Sequence, residues 1–114
     1  MKIKKAEKVA ASAVEEEGAE GVRVRWLIAK DDGAPNFYMR QFTFAPGGHT
    51  ARHSHQWEHE VYILAGSGAV VTADARREIA AGDCVFVAPG ELHQFVNTGG
   101  DELKLLCLVP KTAV

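Results

Sequence analysis

The sequence predicts an all-β fold: one barrel or jelly-roll domain preceded by a short N-terminal segment. Two observations carry this expectation. From Val22 onward, short apolar runs alternate with breakers: Asp31-Asp32-Gly33-Ala34-Pro35, Pro46-Gly47-Gly48, Gly66-Ser67-Gly68, Ala81-Gly82-Asp83, Ala88-Pro89-Gly90 and Asn97-Thr98-Gly99-Gly100. Regular short strands with Gly/Pro punctuation argue for a closed or layered β structure. The chain's 114 residues, 46% apolar and 25% charged, make one ordinary globular domain.

Residues 1–21 read as an adapter segment. A short amphipathic piece near residues 6–17 could be helical, ended by Gly18 and Gly21. Residues 22–114 form the barrel domain. Strands are expected near 23–29, 37–44, 52–55, 59–64, 69–72, 76–79, 84–87, 93–96 and 102–109. Lys2, Lys4, Lys5 and Lys8 read as a solvated face. The net charge of −2 argues against a nucleic-acid partner. No run approaches the roughly 20 apolar residues of a membrane span. Residues 9–14 are too short and alanine-rich for a signal core, and Glu15-Glu16-Glu17 follows at once, so a cytoplasmic location is expected. Cys84 and Cys107 read as small buried hydrophobes, not a disulfide framework.

Strand parity sorts the faces. Leu103, Leu105, Cys107 and Val109 should point inward and Lys104 to water. The same parity puts His93, Phe95 and Asn97 inside, together with His53, His55, Trp57, His59, Val61 and Ile63. The H-x-H pair His53/His55 shares one face of an extended segment because side chains alternate with period 2. His59 follows just downstream and His93 comes from a distant strand.

Burying four imidazoles without partners would cost roughly 1–3 kcal/mol for each unsatisfied group, whereas a shared cation satisfies all four. Neutral imidazole is the commonest transition-metal ligand. His53, His55, His59 and His93 are therefore the expected ligands of one divalent transition metal per chain. A structural zinc site would be closed and would usually carry cysteine. Four histidines on a six-coordinate ion leave two places for exchangeable ligands. Imidazole suits Fe, Cu, Ni and Zn, so these residues do not by themselves name the metal. Phe95, Leu105, Cys107 and Val109 are expected to line the pocket. His49 reads as a loop or rim residue and Glu58 and Glu60 as exterior charge. Tyr38 and Arg40 lie on a strand that could border the cavity, with an exterior salt bridge favoured for Arg40 over substrate binding. Core packing is the plainer reading of Cys107.

These residues resemble the cupin superfamily. Its first motif is Gly, five residues, His-x-His, three or four residues, Glu, six residues, Gly. Gly47, His53, His55 and Gly66 match, with His59 in the glutamate position. Its second motif is Gly, five residues, Pro-x-Gly, two residues, His, three residues, Asn. Gly82, Gly90, His93 and Asn97 match, with Ala88 in the proline position and Pro89 one place later. The resemblance spans roughly residues 37–110. It implies a small conserved β-barrel with one metal in its mouth, and the exchange of Glu for His is similar to the small four-histidine cupins. Mn(II) or Fe(II) are the favoured ions, with Cu, Ni or Zn as alternatives. A homodimer is implied, with residues 22–28 as a possible exchanged or interfacial strand.

The leading functional expectation is a metal-dependent oxygenase acting on a small organic molecule. The alternatives are a non-enzymatic module that binds an oxyanion or carbohydrate, and a sugar or keto-acid isomerase. One fold hosts many chemistries, so the fold alone does not choose among them.

Overall fold

The computed structural model describes residues 1–113. Among these described residues nine strands run in chain order: β1 (Ala11–Ala13), β2 (Glu20–Ile28), β3 (Phe37–His49), β4 (His59–Ala65), β5 (Ser67–Val71), β6 (Arg76–Ala80), β7 (Cys84–Val87), β8 (Gln94–Val96) and β9 (Leu103–Pro110). Single 3-10 turns lie at Ala6–Lys8, Lys30–Asp32 and Lys111–Ala113. No helix among the described residues is long and apolar enough to cross a membrane.

The strands form one antiparallel sheet in the order β6-β5-β8-β3-β9-β4-β7, with β2 on β3 and β1 on β2. The sheet curls into a half-barrel, as expected for a single-domain cupin β-barrel. Alternation dictates which face is concave. In β9, Leu103, Leu105, Cys107 and Val109 are buried. Their register partners in β3 are Phe44, Phe42, Arg40 and Tyr38. On the other side of β9, β4 sets Ile63 against Leu105 and Val61 against Cys107. The core cluster adds Val22, Val70, Ile79, Val87 and Phe95. Each large apolar side chain fully removed from water stabilises by roughly 1.5–3 kcal/mol, and this decides the strand faces.

Asn97 is a polar member of this interior. Its Nδ2 donates to the carbonyls of Phe44 (3.0 Å) and Asp101 (2.8 Å), and its Oδ1 accepts from Gly99 N–H (2.9 Å). It staples the turn after β8 to the end of β3.

Several expectations are corrected. Residues 6–17 are not helical beyond one 3-10 turn. Ala11–Ala13 instead pairs with Arg23–Arg25 of β2, because strand pairing along an open edge outweighs alanine's helix propensity. Lys2, Lys4, Lys5 and Lys8 are exposed, as expected of a solvated face, and two of them form ion pairs there. Lys4 lies 2.5 Å and Lys2 3.6 Å from Asp32, and Arg25 Nη1 donates to Ala6 O (2.7 Å), which clasps the N-terminus to β2. The hydrogen bond from Lys4 is the main cause holding the Asp32 carboxyl down to about 2.

The Pro46-Gly47-Gly48 breaker lies inside β3, accommodated by Gly47 at φ +80° and a register shift in β2 between Glu20 and Val22. Residues 52–55 form no strand and are bridged only at His53 with His93. Residues 22–28 pair with β1 and β3 of the same chain. Cys84 is exposed; Cys107 is buried.

Candidate metal centre

Two loops meet at one end of the concave face, and backbone bonds zip them together. His53 N–H donates to His93 O (3.2 Å), His93 N–H donates to His53 O (2.9 Å), and Gly90 N–H donates to His55 O (2.7 Å). His59, the first residue of β4, comes in from the adjoining strand, paired with Val87 of β7. The imidazole centroids are 5.0 Å apart for His53–His55, 4.8 Å for His53–His93 and 4.9 Å for His55–His93. His59 closes the group at 4.6 Å from His55 and 5.2 Å from His93.

The ligating atoms of His53, His55 and His93 lie within 4.8 Å of one another. His59 stands outside that tight trio, but its Nε2 is 2.8 Å from Nε2 of His55.

Each ring is held from behind. Nδ1 of His53 meets Glu16 Oε2 at 2.7 Å, Nδ1 of His55 meets Trp57 O at 3.0 Å, and Nδ1 of His93 meets Glu91 O at 2.8 Å. An oxygen acceptor at Nδ1 places the proton there and leaves Nε2 with its lone pair, as a metal-ligating imidazole needs. Nδ1 of His59 faces Cys107 Sγ at 3.2 Å. A cation at His59 Nε2 would set its proton on Nδ1, directed at that sulfur. Two imidazole lone pairs 2.8 Å apart repel unless a proton or a metal ion stands with them. The donor set therefore fits a transition metal.

Burial disfavours the protonated form of three of these rings, His55, His59 and His93. Burial, the largest cause, pushes His59 down to about 3, and the Arg40 cation and the neighbouring rings push the same way. Burial likewise lowers His55 and His93. It raises the Cys107 thiol against the opposing pull of Arg40, so sulfur stays protonated.

The histidines line a cavity of about 420 Å³ whose walls include Trp26, Phe42, Trp57 and Phe95. Trp57 stacks on His55 at 4.2 Å with an interplanar angle of 8°. Phe95, Leu105 and Cys107 line this cavity; Val109 does not, and lies in the core opposite Tyr38. A larger groove of about 510 Å³, between the N-terminal residues and β2, includes no histidine.

A family model described as a cupin domain matches residues 40–109. The chain is a cupin. The polyketide cyclase RemF from Streptomyces resistomycificus superposes with a TM-score of 0.93 at 37% identity, covering 97% of this chain and 80% of that one. A predicted oxalate decarboxylase from Thermotoga maritima superposes at 0.84 with 26% identity, covering 96% and 98%. A 1-methylthio-D-xylulose 5-phosphate methylsulfurylase from Rhodospirillum rubrum is 32% identical over 85% of this cupin. The chain spans 63%, 50% and 41% of the lengths of three curated relatives it matches.

One residue of the site escapes the sequence reading, and for a second the sequence favours the wrong option. Glu16 comes from the supposed adapter, and no pattern links it to His53, 37 positions away. For Arg40 the favoured exterior salt bridge is absent among the described residues, and the alternative of a strand bordering the cavity holds for Arg40. It lines the cavity, its Nη2 donating to Cys107 Sγ at 3.2 Å. Parity was the available signal, since Arg40 shares a face with Phe42 and Phe44. His49 stands apart, half-buried at the end of β3, and Glu58 and Glu60 are exposed.

Proposed function

We propose that this cupin is a metal-dependent enzyme acting on a small, oxygen-rich, enolisable molecule held in the barrel. The observation that carries it is the set of four imidazoles, their Nδ1 atoms each engaged, at an aromatic-walled cavity. His53, His55, His59 and His93 would hold one divalent transition ion, with Mn(II) or Fe(II) favoured. Such an ion, when bound, supplies a Lewis acid that polarises a ligand oxygen. The chain's own part is to orient the rings through Glu16, Trp57, Glu91 and Cys107 and to exclude water with Phe42, Trp57, Phe95 and Leu105. The similarity to a polyketide cyclase favours redox-neutral cyclisation of a polycarbonyl chain over oxygen insertion.

The oxygenase remains the second reading, supported by a site open to exchangeable ligands. One experiment separates the two: metal-loaded and chelator-stripped protein are given linear β-polyketones and enediols, with and without dioxygen. Metal-dependent turnover under anaerobic conditions supports the cyclase reading. Stoichiometric oxygen uptake supports the oxygenase. No metal-dependent turnover in either atmosphere rejects both and leaves a binding module.

The homodimer belongs here as well. Tyr62, Leu64 and Phe86 are exposed on the convex face of β4 and β7, where a second copy would cover them. Sedimentation of the wild type should report twice the chain mass, and Phe86→Glu with Leu64→Glu should halve it. A monomeric wild type rejects the dimer.

A further inference from the structure

Arg40 is a cation inside the histidine cavity, and among the described residues it has no carboxylate. Its Nη2 donates to Cys107 Sγ, a weak acceptor, and its Nε is buried without a partner. None of the ion pairs among the described residues includes it. Glu16, which lines the same cavity, is already engaged by His53 at 2.7 Å. The guanidinium carbon sits 5.4 Å from the Trp26 ring centre and 4.9 Å from that of Phe42, so aromatic faces hold the group in place.

A part-buried cation with no carboxylate beside it among the described residues carries a cost at its buried Nε, and imidazoles, which bear no negative charge, cannot serve as its counter-ion. An anionic occupant would remove that cost. The walls narrow its chemistry further. A sugar would leave hydroxyls unpaired against Phe42, Trp57, Phe95 and Leu105, and inorganic phosphate would leave the same faces uncovered. A flat conjugated body covers them by stacking.

We propose that Arg40 is the binding residue that recruits an oxyanion, a carboxylate or enolate, carried on a flat conjugated body. This deepens the functional reading above and relies on it only for the metal at the far end of the cavity.

Calorimetric titration of metal-free and metal-loaded protein tests it, with 3-hydroxy-2-naphthoate, its carboxamide and inorganic phosphate as probes. The naphthoate should bind at least about tenfold more tightly than either comparator in both forms, as a charge-assisted bond requires. In Arg40→Met the preference over the carboxamide should shrink to less than about twofold, and Arg40→Lys should keep part of it. Equal binding of carboxylate and carboxamide to the wild type overturns the proposal. So does phosphate binding as tight as naphthoate, absence of naphthoate binding at millimolar concentration, or an undiminished preference in a folded Arg40→Met protein. If that variant does not fold, the wild-type comparisons decide. A preference intact in metal-free protein, with no turnover after loading, sinks only the enzymatic reading. Turnover without the preference sinks only the role of Arg40.

Discussion

Glu16 is the residue whose removal should be most informative. It touches none of the expected metal-binding nitrogens, yet its carboxylate holds His53 Nδ1 at 2.7 Å. Partners of this kind orient a ligating imidazole, and losing one typically weakens metal affinity about 10–100-fold. Glu16→Ala should therefore weaken affinity by roughly tenfold, read by competition with a chromophoric chelator, whereas Glu16→Gln, whose amide oxygen still accepts, should recover most of it. Equal affinity in Glu16→Ala and wild type would remove Glu16 from the site. His55→Ala is the stronger test of the centre itself. It deletes a ring whose Nε2 lies 2.8 Å from that of His59, while the backbone carbonyl that accepts from Gly90 N–H stays in place. Metal retention after gel filtration should collapse while the far-ultraviolet spectrum of the β fold persists; unchanged metal content would overturn the ligand assignment.

At the scale of the element, period-2 alternation carried most of the fold. The inward faces of β4, β8 and β9 follow from parity because burial of alternate apolar residues leaves no other register. The strand assignment fails at residues 52–55, which form a loop although His53 and His55 still line the cavity as parity expects, and at Pro46-Gly47-Gly48, which does not end β3. The site was legible to the extent that it is written in spacing. Four histidines are, whereas the Glu16 contact depends on where an N-terminal strand of three residues docks. Close approaches between elements were also illegible. Gly66 has φ +83°, and a Cβ there would run into the carbonyl oxygen of Glu102. Gly33 has the same φ but nothing within 4 Å of its would-be Cβ. Gly33→Ala should thus cost only the left-handed backbone penalty, about 1 kcal/mol, while Gly66→Ala adds overpacking and should cost about 3 kcal/mol. Urea unfolding of the metal-free proteins measures both. Equal losses would mean that the β4–β9 junction yields freely around Gly66.

For the whole molecule, the buried imidazoles make stability a function of pH. His59 is held down to about 3, and His55 and His93 are also lowered, while in the unfolded chain each returns to its ordinary value of 6.5. Above pH 7 neither state binds these protons, so the three groups add no pH dependence. Between 6.5 and about 3 the unfolded chain binds protons that the folded chain refuses, so unfolding is favoured as pH falls. Each full proton of imbalance changes stability by about 1.4 kcal/mol per pH unit. The metal-free protein should show a flat plateau from pH 8 to 7 and a progressive loss of unfolding free energy below about 6.5, as the group titrations dictate. Bound metal needs neutral nitrogen, so the loaded protein should be more stable on the plateau and lose that increment over the same acid range. Replacing His59 by Gln removes the most strongly shifted ring, and the acid slope of the metal-free variant should be shallower than that of the wild type. Denaturant titrations at half-unit pH steps read this directly. An unchanged slope in His59→Gln would place the acid sensitivity elsewhere in the chain and show that the buried rings accept protons without opening the fold.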